Sequence, residues 1–255
     1  MYFFLANLSF LEVCYTTVTI PQMLINLASS HKTISFWGCA LQMYLFLGFG
    51  MAECVFLGVM AYDRYTAICH PLRYGTIMSQ ALCVKMATAA WTSGFFNSMV
   101  VNASVLWLPF CGPNQINHYF CEVPAVVRLA CGDTSLNQTV VFIFSVLVLL
   151  APFLLILVSY VRIIATILGT RSSQGRRKTF ATCGSHLTMV AMYYGTGMAM
   201  YMRRKSKRSG DQDKMLSIFY TVIVPLLNPV IYSLRNKEII GAVRKIFGRK
   251  VSSQA

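Results

Sequence analysis

Val140–Val161 reads VVFIFSVLVLLAPFLLILVSYV, part of a charge-free window from Thr134 to Val161. A bilayer core needs about 20 mostly apolar residues per helix, and a run of 18 or more without charge is a candidate span. Four further windows lack any charge: Thr33–Ala52, Met86–Cys121, Thr179–Met202 and Met215–Leu234. Over the 255 residues, 56% are hydrophobic and only 12% are charged, roughly half the charged share of an ordinary soluble domain. The chain is therefore a polytopic membrane protein, with all-α spans expected because helices satisfy their own backbone in lipid.

Six spans are expected: about 2–27 (interrupted by Glu12), 36–62 (interrupted by Glu53), 84–107, 138–163, 180–202 and 214–234. Together they make one bundle, 1–235, followed by a cytoplasmic tail, 236–255. The tail segment RNKEIIGAVRKIFGRK alternates apolar and basic residues at helical spacing, which suits a short amphipathic helix on the lipids of an anionic inner leaflet. No internal repeat, low-complexity segment, second domain or basic leader is evident.

The net charge is +14. Read as positive cytoplasmic loops, it orients the bundle and needs no nucleic-acid partner. With the start of the chain inside, 14 of the basic residues fall on the inner side and 8 on the outer, because RRKSKR (203–208) sits outside. Cysteine supports the same orientation. The loop WLPFCGPNQINHYFCEVPAVVRLACGDT (107–134) holds Cys111, Cys121 and Cys131, and Cys39 lies at the outer end of the second span. Four cysteines on one face suggest two disulfides and an oxidising compartment. The sequons at Asn102 and Asn137 lie at outer span ends, close to the bilayer; the one at Asn7 is read as chance.

MAYDRYTAICHPLRY (60–74) places Asp63 and Arg64 at the inner mouth of the second span. An arginine near the membrane is costly and marks a candidate functional residue, with interfacial anchoring the plainer reading. Glu12 and Glu53 are costly as carboxylates unless paired, ion-bound or protonated. Facing one cavity, they would suit a sodium ion or a shared proton; the plainer reading is a pair of neutral core carboxyls. PLLNPVIYSLRN (225–236) carries Pro225 and Pro229, which favour kinks, with Asn228 and Tyr232 beside them. Cys183 and His186 lack a second ligand pair for zinc. HYFCE (118–122) would offer copper or zinc a thiolate only if Cys121 were free. No phosphate loop, HExxH motif or nucleophile elbow is present, so an enzyme is not expected.

MYFFLANLSFLEVCY (1–15), MAYDRYTAICHPLRY (60–74), Ser159-Tyr160, KTFATCGSHL (178–187) and PLLNPVIYSLRN, in that order, resemble the vertebrate odorant (olfactory) receptors, members of the rhodopsin-like G-protein-coupled family. The resemblance runs to about Phe247 and is similar to the tetrapod-type class; LEVCYTTVTIPQML (11–24) is similar to olfactory family 6. It implies a rhodopsin-like seven-helix bundle. It also implies a receptor for small, hydrophobic, volatile odorants that activates the olfactory stimulatory heterotrimeric G protein and raises cyclic AMP at the plasma membrane of olfactory cilia. A small transporter or channel is the remote alternative.

The resemblance assigns roles. Arg64 would meet the G-protein tail, restrained at rest by Asp63. Tyr65, Tyr160, His186, Asn228, Pro229 and Tyr232 would join the activation switch. Glu12 and Glu53 would form the buried polar site. The disulfides would be Cys39–Cys121 and Cys111–Cys131. The ligand site would take Phe46, Leu47, Gly50 and Met51, then Phe144 and Val148, then Gly197 and Tyr201, then Thr221. No metal site is implied. Tyr194, Thr196 and Arg176 depart from the wider rhodopsin-like pattern in ways odorant receptors share, and Glu12 replaces the more common aspartate. Met1 resembles an internal methionine at the start of the second helix of such receptors. A bundle without the first helix is therefore expected, as a truncated form, with poor surface expression, retention in the endoplasmic reticulum and, as the alternative function, a non-signalling fragment.

Overall fold

A computed structural model describes residues 2–30, 32–111, 114–169, 173–201 and 210–228, without the side chains of 173–182, 198–201 and 210–213. The elements are helices α1 (Tyr2–Ala28), α2 (Phe36–Cys69), α3 (Tyr74–Ile77), α4 (Gln80–Leu106), α5 (Val123–Val127), α6 (Ser135–Gly169), α7 (Ser173–Tyr201) and α8 (Gly210–Ile218). A 3₁₀ turn, Pro71–Arg73, precedes α3. The tail and the proline, tyrosine and arginine of PLLNPVIYSLRN beyond Asn228 lie outside the described residues.

Among the described residues, α1, α2 and α6 are long and apolar enough to cross a membrane. Only 11% of the apolar window of α6 is buried inside the molecule, against 67% for α2. Thus α6 turns Leu147, Leu154, Val158 and Val161 outward, and α2 forms the central post. Helices α4, α6 and α1 all pack on α2. One core cluster joins α1, α2 and α4 through Phe4, Leu8, Leu11, Ala52, Phe56 and Ala90. A second joins α2, α6 and α7 through Leu57, Ala61, Ile156, Tyr160, Cys183 and Val190.

Two glycines permit this closeness. A Cβ on Gly94 would meet the Ala52 backbone nitrogen at 2.6 Å, so α4 lies backbone to backbone against α2. A Cβ on Gly58 would meet Pro152 Cβ at 3.1 Å, where α6 crosses on the other side. Small residues at such crossings are the usual device for tight helix association in lipid.

The helices run longer than the apolar windows. α2 continues to Cys69 and stops one residue before the Pro71 turn, so Asp63 and Arg64 lie inside its last two turns rather than beyond its end. Ser35 and Ser79 open α2 and α4 as N-caps, accepting from Gly38 N and Leu82 N. After α8 the chain widens into a π turn, Phe219–Ile223, in which Val224 N–H bonds Phe219 O. Pro225 explains it: proline has no N–H to give the carbonyl four residues back, and its ring crowds that carbonyl.

Candidate functional site

At the inner end, Asp63 is buried and its Oδ1 accepts the Tyr74 hydroxyl at 2.8 Å. Desolvation by burial, and then the hydrogen bond to Asp63, push the Tyr74 hydroxyl up to about 12. The α3 turn exists at this place because Pro71 and the short helix carry Tyr74 back under α2. Tyr65 reaches His70 Nε2 at 3.1 Å instead of joining this pair. On the opposite side of α2, Tyr160 of α6 meets His186 Nδ1 of α7 at 2.9 Å, and His186 Nε2 meets Leu57 O of α2 at 3.1 Å. His186 is 1% exposed, so a three-helix polar tie is sealed inside the core. Arg64 follows Asp63 in the same stretch of α2. Pro229 and Tyr232 fall outside the described residues.

At mid-depth, α1, α2 and the helical stretch 224–228 after the π turn bring Glu12, Glu53 and Asn228 together, all buried. Asn228 Nδ2 donates to Glu12 Oε1, and lies 3.5 Å from Glu53 Oε1. Glu12 Oε2 and Asn228 Oδ1 have no described hydrogen-bond partner. The two carboxyls thus share one amide donor in a buried site. The unsatisfied oxygens are the kind of donor set a hard cation or a proton fits.

Toward the outer end, Leu47 and Met51 of α2 pack with Phe144 and Val148 of α6 in one apolar cluster, joined by Cys54, Val101 and Val123. Gly50 O accepts the Tyr193 hydroxyl at 2.7 Å, and Cys54 Sγ lies 3.2 Å from the same hydroxyl. Phe46 stands apart from that cluster, ringed by Tyr15 and Phe120 at 4.9 Å each and by Tyr220 at 6.2 Å. Thr221 is buried, with its hydroxyl on Ser217 O. Space opens beside Gly197, where an added Cβ meets nothing within 4 Å. The Tyr201 side chain is outside the described set.

The outer loop is pinned over this region. Cys39 is bonded to Cys121 and Cys111 to Cys131, with Cα separations of 5.4 and 5.8 Å. Gln42 extends the pin: its Oε1 accepts Cys121 N at 2.9 Å and its Nε2 donates to Val18 O at 3.0 Å. Tyr220 donates to Glu122 Oε2 at 2.7 Å, tying the loop to the π turn. Sequence reasoning missed Gln42, Tyr193, Phe120 and the Glu122–Tyr220 bond. An amide and an acid inside or beside apolar segments were the available signals. His118 and Glu122 adjoin at 3.3 Å, but Cys121 is consumed by its disulfide. No group of three or more candidate metal ligands occurs among the described residues. The Asn102 and Asn137 amides of the sequons are turned into the bundle, on Ala40 O and Ser104 O.

The architecture is that of a rhodopsin-like helix bundle. The crystal structure of squid rhodopsin superposes with a TM-score of 0.74 at 15% identity, over 98% of this chain and 71% of that one. Residues 1–250 match the sequence family described as "Olfactory receptor". Human olfactory receptor 2B2 is 48% identical over 254 residues, covering 100% of this chain and 71% of the relative. Human olfactory receptor 10R2 is 52% identical over 252 residues, covering 99% and 75%. The chain belongs to the olfactory receptor family, a family of multi-pass membrane receptors and not of enzymes.

Proposed function

We propose that the protein binds small hydrophobic odorants between α2, α6 and α7 and activates a stimulatory heterotrimeric G protein, raising cyclic AMP at the plasma membrane of olfactory cilia. The observation that carries the reading is the apolar cluster of Leu47, Met51, Phe144 and Val148 beneath a disulfide-pinned loop, in a chain of this family. An apolar surrounding of this kind suits an apolar ligand with few polar groups, and family resemblance adds Gly50, Gly197, Tyr201 and Thr221 to the ligand-contacting set. Ligand affinity that differs between a closed and an open inner face shifts the population toward the open one. In that shift Arg64 meets the G-protein tail, and the Tyr74–Asp63 bond holds the resting form. Pro229 and Tyr232 complete the switch by family resemblance. Glu12, Glu53 and Asn228 hold a sodium ion or a shared proton that favours the resting packing.

The test is a cyclic AMP dose–response in cells expressing this chain, across a panel of neutral volatile odorants. A saturable response that is lost with Arg64→Ala at equal surface density supports the reading. Odorant responses that persist unchanged in Arg64→Ala contradict the assigned switch, and no response to any odorant contradicts receptor function for this chain.

A further inference from the structure

Helix α7 is tied to α2 by two rungs of the same kind. At the inner rung, His186 Nε2 donates to Leu57 O at 3.1 Å. At the outer rung, the Tyr193 hydroxyl donates to Gly50 O at 2.7 Å. The two donors are seven residues apart on α7 and the two acceptors seven apart on α2, about two helical turns in each case. Both acceptors are main-chain carbonyls inside α2, where the helix supplies each with an N–H of its own. Either rung can therefore open without leaving a buried carbonyl of α2 unpaired. The rungs differ in access. His186 is sealed in the core, whereas Tyr193 is only half-buried and packs on the apolar cluster of Met51, Cys54 and Val148.

The outer rung has room beside it. Gly50 carries no side chain, and a Cβ built there would meet nothing nearer than the Tyr193 hydroxyl at 3.7 Å and Tyr15 Cε2 at 3.8 Å. Both are ordinary van der Waals separations, so a notch the size of one heavy atom adjoins the hydroxyl. The bonds of that hydroxyl are already allotted. Its hydrogen goes to Gly50 O, and its oxygen accepts the Cys54 S–H at 3.2 Å. A ligand group that only donates can use the remaining lone pair and leave the rung in place. A ligand oxygen that accepts must draw the hydrogen away from Gly50 O.

We propose that Tyr193 sets ligand specificity and that its bond to Gly50 is a latch opened by the ligand, so that this receptor prefers apolar odorants bearing a carbonyl oxygen. The proposal rests on the odorant-receptor reading. The carbonyl oxygen enters the notch at Gly50 and takes the Tyr193 hydrogen bond, with the alkyl body against Leu47 and Met51. Helix α7 then keeps only its inner rung to α2. A ligand that bonds Tyr193 only when the rung is open shifts the population toward that form.

The test compares 2-octanone with 2-methyl-1-octene by cyclic AMP dose–response, beside the neutral odorant panel. The alkene replaces the carbonyl oxygen by a methylene group of similar shape and accepts no hydrogen bond. One net hydrogen bond predicts a ketone about tenfold more potent than the alkene. Tyr193→Phe, which keeps the ring and removes the hydrogen, should bring the two probes to equal potency and raise basal cyclic AMP per surface receptor. A mere loss of stability would lower both responses and leave their ratio. Gly50→Ala, which fills the notch, should narrow the ratio even if Tyr193→Phe fails to reach the surface. Equal potency in the parent chain, a ketone preference unchanged in either variant, or unchanged basal signalling in Tyr193→Phe overturns the latch. If panel odorants act and the ketone does not, the latch fails while the receptor reading stands. If nothing in either set raises cyclic AMP, both fail.

Discussion

The Tyr74 hydroxyl donates to Asp63 Oδ1 across 2.8 Å, linking the short helix after Pro71 to the inner end of α2. A hydrogen bond to a charged acceptor contributes about 1.5–3 kcal/mol, and here it falls on the acid beside Arg64. Tyr74→Phe removes the donor and little volume. In our account basal cyclic AMP, normalised to surface receptor, rises several-fold in this variant. Unchanged basal signalling would remove Asp63 and Tyr74 from the resting restraint.

The same bond has a pH signature. Burial and Asp63 hold the Tyr74 hydroxyl near 12, above the usual value of 10. The neutral form is thus favoured in the folded chain. Its contribution is complete below pH 10 and is lost as pH rises through 12. Alkaline denaturation of the purified receptor should therefore lose a component between pH 10 and 12 in Tyr74→Phe relative to the parent chain.

The Tyr160–His186–Leu57 tie is buried on every side. Tyr160→Phe leaves His186 Nδ1 without its partner, at a cost of about 1–3 kcal/mol. The thermal midpoint in detergent should fall. His186→Leu, which removes the ring bonds to Tyr160 and Leu57 O together, should cost no more than twice that, since it leaves only two neutral groups unpaired.

Glu12, Glu53 and Asn228 share one amide donor. Asn228→Leu takes it away and leaves two acids facing each other, so cell-surface yield should drop sharply. Glu53→Gln supplies a new amide and should be tolerated. If the pair holds sodium, replacing sodium by a large organic cation in the medium should change agonist potency in the parent chain and not in Glu53→Gln.

Gly94→Leu places side-chain atoms where the Ala52 backbone stands, with even a Cβ at 2.6 Å. Overpacking of this kind costs about 1–3 kcal/mol or more. Since backbone is the obstacle, the helices must part. Loss of α2–α4 packing should show as retained, immature protein, whereas Gly169→Leu, with nothing within 4 Å, should mature normally.

Much of this was legible in the sequence. Charge-free windows locate helices because lipid admits almost nothing else, and Glu12, Glu53 and Arg64 stand out because each is an expensive exception in such a window. Helix ends were less legible. The turns of α2 and α6 that project past the apolar windows contain charged or polar residues, so hydropathy stops before the hydrogen-bond ladder does. The Tyr74–Asp63, Tyr220–Glu122 and Gln42–Cys121 contacts were not legible at all, because each depends on how a loop folds back over the bundle. Pro225 announced a kink, but only the structure shows it as a π turn that splits Tyr220 from Thr221.

The most direct test of the account is nucleotide exchange on a purified olfactory stimulatory G protein by this receptor in lipid nanodiscs, with and without an active odorant. The account predicts ligand-dependent exchange that Arg64→Ala abolishes while odorant binding to the nanodisc is retained. Ligand-independent exchange equal in both chains, or exchange by Arg64→Ala at the parent rate, would contradict it.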